Sequence, residues 1–408
     1  MYRAVAVVAA SLVLLPCQTY LAADSGEQED VVTVVSASAL FSQFERLQAE
    51  LQRHRALADT GGWPKVPEGP TIRPQSNDPR LELLARRLAA SGDLAKDDIS
   101  FSSSKYNETL QDAVRRFQIR HGLEVDGLVG RATLRALNVS IEQRIDQIHV
   151  NLECARRLPG GQSEDLVLVN IAVFEAYVVR DGETVRTTKL IVGDMEDETP
   201  EFRSELKYIV FNPTWSVPHS IASEEMLPKI KQDPGFFTKG GYQLYDGDGN
   251  RVDSTSVDWS VISVGNFPYM LVQQPGPENQ LGQIKFMLPN EYSVCMHDTP
   301  AKSLFAKAAR AFSHGCLRVE DPLAFAEVIL GSEGWTREQI NSQVVSGETR
   351  TVVLSEPLPV YVLYWTAEVD DKGTIHFYDD IYGRDAKVLR TLDRPLRSDH
   401  HVQPTDSG

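Results

Sequence analysis

Cysteine is scarce in this chain: Cys17, Cys154, Cys295 and Cys316 are the four among 408 residues. We predict below that the segment carrying Cys17 is removed, which leaves three. An odd number of cysteines in an oxidising compartment excludes a pure disulfide framework, so at least one thiol stays free. A reactive, protected Cys316 would account for this, and so would a buried, inert Cys154.

Positive charge is also in deficit. The chain has 41 Lys and Arg against 57 Asp and Glu, a formal net charge of −16 at pH 7. Binding to nucleic acid needs a basic face, so we predict no nucleic-acid partner, and anionic lipid is disfavoured too. The length allows more than one core, so we expect two or three globular domains.

The N-terminus lacks an apolar run long enough to span a bilayer comfortably, which takes ~20 residues. Residues 4–15 are apolar, follow Arg3 and precede the small-residue site Leu21-Ala22-Ala23, a pattern typical of a signal peptide over residues 1–23. Pro16 before Cys17 fits a lipobox poorly. We therefore predict export to the periplasm and a soluble mature protein, whereas an uncleaved signal would tether it to the membrane.

Helix signals dominate residues 24–160. An aperiodic stretch, 24–38, precedes apolar residues at helical spacing from Ala39, which predict a scaffold helix within residues 24–80. Residues 81–140 predict a small helical domain with a glycine-punctuated loop. Ser140 to Gln143 has the form of a capping box, which predicts a connecting helix over 141–160 that runs to about Arg157.

Strand signals begin at Leu166. Apolar and β-branched runs with short turns predict a mainly antiparallel, sandwich-like catalytic domain over residues 161–365, and hence an α+β multidomain protein. An irregular insertion, about 213–280, breaks the strand rhythm, and such insertions are often lids. Residues 366–408 are expected to form a C-terminal scaffold segment with a tail that trails free from about residue 386.

The candidate reactive residues lie within Cys295–Val319. His297 is followed by fifteen residues and then by Ser313-His314-Gly315-Cys316. A thiol needs a base before it attacks a carbonyl at neutral pH, and an imidazole within reach supplies one. The glycine before the cysteine lets backbone N–H groups approach a substrate, as an oxyanion hole requires. These are the parts of a cysteine acyl-transferase.

This ordered set, with Leu317-Arg318-Val319 after it, resembles the signature of the L,D-transpeptidases (YkuD catalytic domain), which use a cysteine to remake peptidoglycan cross-links. Residues 296–300 and 310–312 look like the large periplasmic YcbB-type branch. Residues 113–138 resemble the three-helix peptidoglycan-binding module of wall hydrolases; whether this copy binds glycan or only packs against the enzyme stays open. The resemblance covers roughly residues 40–385.

The resemblance implies that Cys316 is the nucleophile and His297 the base, with the backbone carbonyl of Ser313 accepting the other ring N–H. His314 would line the oxyanion site beside Gly315 or hold the loop by a hydrogen bond. Arg318 suits a carboxylate of the donor stem.

Two further candidate substrate-binding residues lie at the ends of the insertion, which in YcbB-type enzymes is a mobile cap. Trp215 would stack on a sugar or stem peptide, or else brace the cap. Asn279 lies in segment 277–286, which resembles the same branch.

The implied reaction is attack of the thiolate on the carbonyl of residue three of a tetrapeptide stem, with loss of D-Ala. The amine of an acceptor stem then resolves the thioester, which gives a 3→3 cross-link. No metal or nucleotide cofactor is required, and carbapenem inhibitors should acylate the same cysteine.

Two rival functions and one regulatory hypothesis remain. Cys295, His297, His314 and Cys316 would also supply a Cys2His2 set of zinc or copper ligands. A non-catalytic wall-binding protein is the other rival, which the intact Ser-His-Gly-Cys set disfavours. On a strand Cys295 shares a face with His297, so we also hypothesise that a Cys295–Cys316 bond holds the enzyme inactive until it is reduced.

Overall fold

The computed structural model describes residues 41–99, 105–156 and 165–392. The predicted signal peptide, the start of the scaffold helix at Ala39 and the end of the tail lie outside these residues. No helix in the described part of the chain is both long and apolar enough to cross a membrane.

The N-terminal part of the described chain is helical. Its α-helices are α1 Gln43–Asp59, α2 Leu81–Ala90, α3 Glu108–Ile119, α4 Arg131–Leu137 and α5 Ile141–Ala155. The predicted capping box is confirmed, because the Ser140 hydroxyl accepts from the Gln143 backbone N–H while the Gln143 side chain accepts from the Ser140 N–H. Apolar faces of α2, α3 and α4 meet in one core built around Leu84, Phe117 and Leu137.

The remaining chain is mainly strands. They are β1 Leu166–Asn170, β2 Glu175–Arg180, β3 Glu183–Gly193, β4 Phe202–Phe211, β5 Trp215–Ser216, β6 Tyr242–Tyr245, β7 Arg251–Val252, β8 Met270–Gln273, β9 Ile284–Met287, β10 Met296–His297, β11 Ala311–Ser313, β12 Leu317–Val319, β13 Arg350–Leu363, β14 Ala367–Val369 and β15 Ile375–Phe377. The later α-helices are α6 Leu227–Gln232, α7 Phe236–Gly240, α8 Pro322–Leu330, α9 Arg337–Val345 and α10 Arg384–Leu392.

The main sheet closes on itself. Its strand order is β11-β3-β12-β10-β9-β4-β13-β1-β2, and β2 pairs again with β3. Only the pairs β1–β13, β10–β12 and β11–β3 are parallel, so the mainly antiparallel prediction is confirmed. Alternating residues of the ring fill a core that includes Val169, Phe211 and Phe286, against which Phe325 of α8 packs.

The insertion is a small folded unit and not the irregular stretch that its glycines and prolines suggest. It forms a separate sheet in the order β5-β8-β6-β7, a π-helical turn at Ile221–Met226 and the two short helices α6 and α7. Val217, Leu227, Leu244 and Leu271 give it a hydrophobic core of its own. We call residues 213–280 the cap.

The C-terminal segment returns to the N-terminal helices. The β14–β15 hairpin packs in one core with α1 and α5. The prediction of a free tail from about residue 386 is wrong for residues up to 392, because α10 forms there. At its start, the Arg384 guanidinium lies over the rings of Tyr364 and Tyr382 and pairs with Glu198 at 2.8 Å.

Candidate active site

Two short parallel strands position the candidate reactive residues. Register pairs Met296 of β10 with Leu317 of β12, and the Leu317 N–H donates to the Cys295 carbonyl at 3.0 Å. Met296 and Leu317 both belong to the main core. Because side chains alternate along a strand, the residues on either side of them face the opposite way, toward the cap.

The two thiols lie next to each other on that face. The Sγ atoms of Cys295 and Cys316 are 3.6 Å apart, and neither cysteine is in a disulfide. The hydrogen bond from Cys295, followed by that from His297, holds the pKa of Cys316 well below its usual range although burial opposes the shift. The same contact and burial raise the pKa of Cys295. Cys316 is therefore the thiol of the pair that gives up its proton more readily.

His297 is oriented by the carbonyl of its neighbour. Its Nδ1 hydrogen-bonds to the Asp298 backbone oxygen. A carbonyl can only accept, so Nδ1 carries the proton and Nε2 keeps its lone pair for the cysteine. The predicted role of the Ser313 carbonyl is wrong, because that oxygen accepts from the Asp194 N–H at 2.9 Å. The Ser313 hydroxyl instead donates to the Cys316 carbonyl at 2.6 Å.

The turn before the nucleophile requires glycine. Gly315 has φ +94°, a conformation that residues with a side chain rarely adopt. The Thr199 hydroxyl fixes this turn by donating to the Gly315 carbonyl at 2.8 Å. Among the described residues, the backbone N–H groups of Gly315 and Cys316 have no hydrogen-bond acceptor. Both N–H groups are therefore available as donors to an oxygen atom of a bound molecule.

A cavity of about 290 Å³ lies above Cys316, between the closed sheet and the cap. The cap supplies its apolar wall, which includes Trp215, Met226 and Tyr242. Arg318 lines the opposite side, half-buried, and its Nε is a buried donor with no partner in the described part of the chain. An extended peptide with a carboxylate fits such a surface, since Arg318 offers it a charged donor.

His314 lies outside the cluster of sulfur and imidazole groups. Its Nε2 is 2.8 Å from a carboxylate oxygen of Glu225 in the cap, and both side chains are close to half exposed. The predicted Cys2His2 set is therefore not formed. Among the residues that the structure describes, Cys295, His297 and Cys316 are the one group with ligand atoms within 4.8 Å of one another, and they are three ligands of the kind that zinc prefers.

Asn279 does not face the cavity, so its predicted role in binding substrate is wrong. It is 1% exposed, and its amide donates at 3.0 Å to the carbonyls of Pro213 and Gln274 while accepting from the Leu281 N–H at 2.8 Å. Both ends of the cap are thus tied together at its base.

No sequence pattern points to Thr199 or Glu225, since each belongs to a loop or helix far along the chain from residues 295–319. Only tertiary folding brings them to the site. The contact between Cys295 and Cys316 had a weak signal in the sequence, because Cys295 and His297 are two residues apart and share one face of a strand.

Comparison with known proteins gives two matches within this chain. Residues 164–360 match the L,D-transpeptidase catalytic domain (YkuD), and residues 77–137 match the putative peptidoglycan binding domain. The chain is 34% identical over 263 residues to a putative L,D-transpeptidase of Haemophilus influenzae, which is 63% of this chain and 53% of that protein. The chain thus spans about half the length of this relative.

Solved structures of L,D-transpeptidases are more distant. One from Xylanimonas cellulosilytica is 15% identical, covers 72% of this chain and 98% of its own, and has a TM-score of 0.23. Another, in complex with imipenem, is 13% identical, covers 49% and 58%, and has a TM-score of 0.21. These TM-scores are too low to carry an argument, so the likeness to L,D-transpeptidases rests on the sequence matches.

Proposed function

Because this chain carries a YkuD L,D-transpeptidase catalytic domain and a peptidoglycan-binding domain, we propose that it forms 3→3 cross-links between peptidoglycan stems through a thioester on Cys316. One observation carries the proposal: a thiol of lowered pKa beside His297, at the floor of a cavity open to a peptide. We propose that the reaction takes place in the periplasm, where peptidoglycan stems lie.

In the first half-reaction, His297 Nε2 takes the proton of Cys316. The sulfur attacks the carbonyl of residue three of a tetrapeptide stem, and the oxyanion is held by the N–H groups of Gly315 and Cys316. The C–N bond to the terminal D-Ala breaks, and His297 returns its proton to that leaving amine. Arg318 binds a carboxylate of the donor stem and keeps the scissile bond over the sulfur.

In the second half-reaction, the side-chain amine of an acceptor stem attacks the thioester. His297 takes the amine proton, the new amide forms, and the thiolate leaves. The apolar wall of the cap, with Trp215, limits access of water to the thioester and so favours transfer over hydrolysis.

Intact-protein mass spectrometry with meropenem tests the nucleophile. A single covalent adduct is expected on the native chain and none on Cys316→Ala, while Cys154→Ala, which changes a cysteine far from the cavity, should keep the adduct. A disaccharide-tetrapeptide substrate should then yield a dimer with a 3→3 bond. Bound zinc without an adduct would instead support a metal site at Cys295, His297 and Cys316. An adduct without any cross-linked product would overturn the proposed reaction alone.

A further inference from the structure

A second cavity lies where the helical domain meets the C-terminal hairpin. Its volume is about 10 Å³, and helices α1, α2 and α5, the turn after α3 and strand β15 each contribute to its lining. The lining includes four arginines, of which Arg87, Arg120 and Arg144 are buried and Arg53 is not, together with His121, Trp63 and Phe377. We call it the junction cavity.

The junction cavity holds more positive than negative charge. Arg87 is 1% exposed, and Arg120 and Arg144 are each 6% exposed. Asp93 pairs with Arg120 through two hydrogen bonds of 2.6 Å, so that pair is neutral. Asp379, near Arg144, is 69% exposed and pairs with Arg135 at 3.4 Å. Two buried guanidiniums are left without a buried carboxylate among the described residues.

The other titratable groups of the lining do not supply the missing negative charge. Burial lowers the pKa of His121 well below its usual range, and its Nδ1 donates to the Phe117 carbonyl at 2.7 Å, so the ring is neutral. At the α1 side, Glu50 accepts from Arg53 at 2.9 Å and lies 3.3 Å from His54, so its charge is already matched.

Two buried donors in the junction cavity also lack partners. Arg87 Nε donates to the Leu137 carbonyl at 2.6 Å, but its buried Nη1 has no acceptor in the described part of the chain. Arg144 Nε is likewise buried without an acceptor. Aromatic faces offset part of the charge, since Arg87 lies 4.0 Å from the Trp63 ring centre and Arg144 4.5 Å from that of Phe377.

Deprotonation does not remove this imbalance. Burial, followed by repulsion from Arg120, lowers the pKa of Arg87 to about 9, which still leaves the guanidinium charged at neutral pH. A buried unpaired charge is costly, and a buried donor without an acceptor adds to that cost. A water molecule would satisfy the donors but not the charge.

We propose that the junction cavity binds one monatomic anion of the halide class, with Arg87 and Arg144 as its cationic partners. The volume is close to the minimum that holds one water-sized sphere, so it limits the occupant to a single small ion. A chloride or bromide ion is larger than that sphere, and the Arg87 and Arg144 side chains must move apart slightly to admit it. Sulfate, phosphate and carboxylate ligands are too large. The ion fastens α2 and α5 to the β14–β15 hairpin, and so ties the helical domain to the C-terminal segment.

Thermal unfolding of the full chain in sodium chloride or bromide, compared with sodium gluconate of equal ionic strength, tests the site. The native protein should gain a few degrees in Tm with a saturable dependence on halide. Arg87→Met should lose this dependence, whereas Arg135→Met, which changes an exposed arginine nearby, should keep it. Equal Tm values in both salts would overturn the proposal.

Crystallography of the native protein gives a test that does not depend on how the variants fold. Crystals grown in bromide should show an anomalous peak between Arg87 and Arg144. Density in the junction cavity without anomalous signal would identify water and overturn the proposal.

Discussion

The active-site cavity and the junction cavity each hold an arginine with an unpartnered buried nitrogen, Arg318 in one and Arg87 in the other. The first cavity has a volume of about 290 Å³ and the second of about 10 Å³. A cation beside the larger space is available to a charged substrate that comes and goes, whereas a cation beside the smaller one can be balanced only by a resident ion. Size and access, and not residue type, thus decide whether a buried charge serves binding or stability.

The two regions also differ in how the chain builds them. The reactive groups of the first cavity come from one stretch of sequence at two neighbouring strands, in which Cys295 and Cys316 are 21 positions apart. The second takes its buried arginines from α2, α5 and the turn after α3. Substitutions in the first region should therefore change the reaction rate, and substitutions in the second should change the free energy of unfolding.

The largest expected effect is that of His297→Ala. Without its base, the rate of acylation by meropenem should fall by ~10²–10⁴-fold. A lowered pKa keeps Cys316 as thiolate above that pKa, so the native rate of alkylation should stay flat as pH falls through neutrality, whereas the rate of the variant should begin to decline at higher pH. Stopped-flow acylation and iodoacetamide labelling across pH measure both. Equal pH profiles would contradict this role of His297.

The second-largest effect is expected for a substitution beside the junction cavity. Asp93→Asn leaves Arg120 as a third uncompensated cation, so we expect the free energy of unfolding to fall by ~3–5 kcal/mol. The folded variant should still react with meropenem at the native rate, because the active site is untouched. Asp112→Asn, which breaks an exposed pair with Arg115, should cost under ~1 kcal/mol. A loss of reactivity matching the loss of stability would show that the two regions are not separate.

The Cys295–Cys316 lock predicted from the sequence gains support from the 3.6 Å between the sulfurs. Adjacent positions on paired strands are ~4.8 Å apart at Cα, within the range of a disulfide. In peroxide, the two thiols should lose two protons and two electrons, which reduce the peroxide to two waters. The native protein should then lose 2 Da and its reactivity, both restored by dithiothreitol.

Cys295→Ser separates the lock from the hydrogen bond to the nucleophile. The serine hydroxyl can still donate a hydrogen bond to Cys316, so under reducing conditions the acylation rate of the variant should be less than ~10-fold below that of the native protein. The reversible loss of 2 Da in peroxide should disappear. Cys154→Ser is the matched control and should behave like the native protein. Activity of Cys295→Ser that equals the native activity under both oxidising and reducing conditions would end the hypothesis.

The smallest expected effect concerns the contact between the cap and the nucleophile loop. Glu225→Gln removes the carboxylate that lies 2.8 Å from His314 Nε2, and since both side chains are close to half exposed, the effect should stay within ~1 kcal/mol, a factor of about five in the KM for donor stem. Glu224→Gln, an exposed neighbour, should change nothing. A large fall in kcat would instead place His314 among the groups that contact the reacting atoms.

The sequence was sufficient to predict that His297 and Cys316 lie together, because the fifteen-residue spacing and the glycine turn are local features. It failed to predict hydrogen-bond partners that depend on the path of the backbone. The ring of His297 meets the carbonyl of Asp298 and not that of Ser313, and Asn279 turns inward to brace the cap. Sequence periodicity does not predict these hydrogen-bond partners, since each depends on the conformation of a turn next to a neighbouring strand.

The junction cavity was invisible to sequence reasoning for a different reason. Arg87 and Arg144 lie on helices and Arg120 just past the end of one, at positions where a solvated arginine would give the same pattern. Their convergence depends on helix packing, and the sequence pattern predicts the helices but not how they meet. The error over α10 has the same origin, because Arg384 needs the distant Tyr364 and Glu198 to hold its helix in place.

The Gln43 side chain donates to the Val369 carbonyl and accepts from the Val369 N–H, both at 2.8 Å, across 326 residues of sequence. During synthesis, α1 can pack against α5 early, but the cover that the β14–β15 hairpin gives it comes only after almost the whole chain has emerged. The early segments must therefore wait, exposed to proteases and chaperones, for the last strands to arrive. Chains cut short before the β14–β15 hairpin should be cleared, so only full-length molecules would deliver the nucleophile to its substrate.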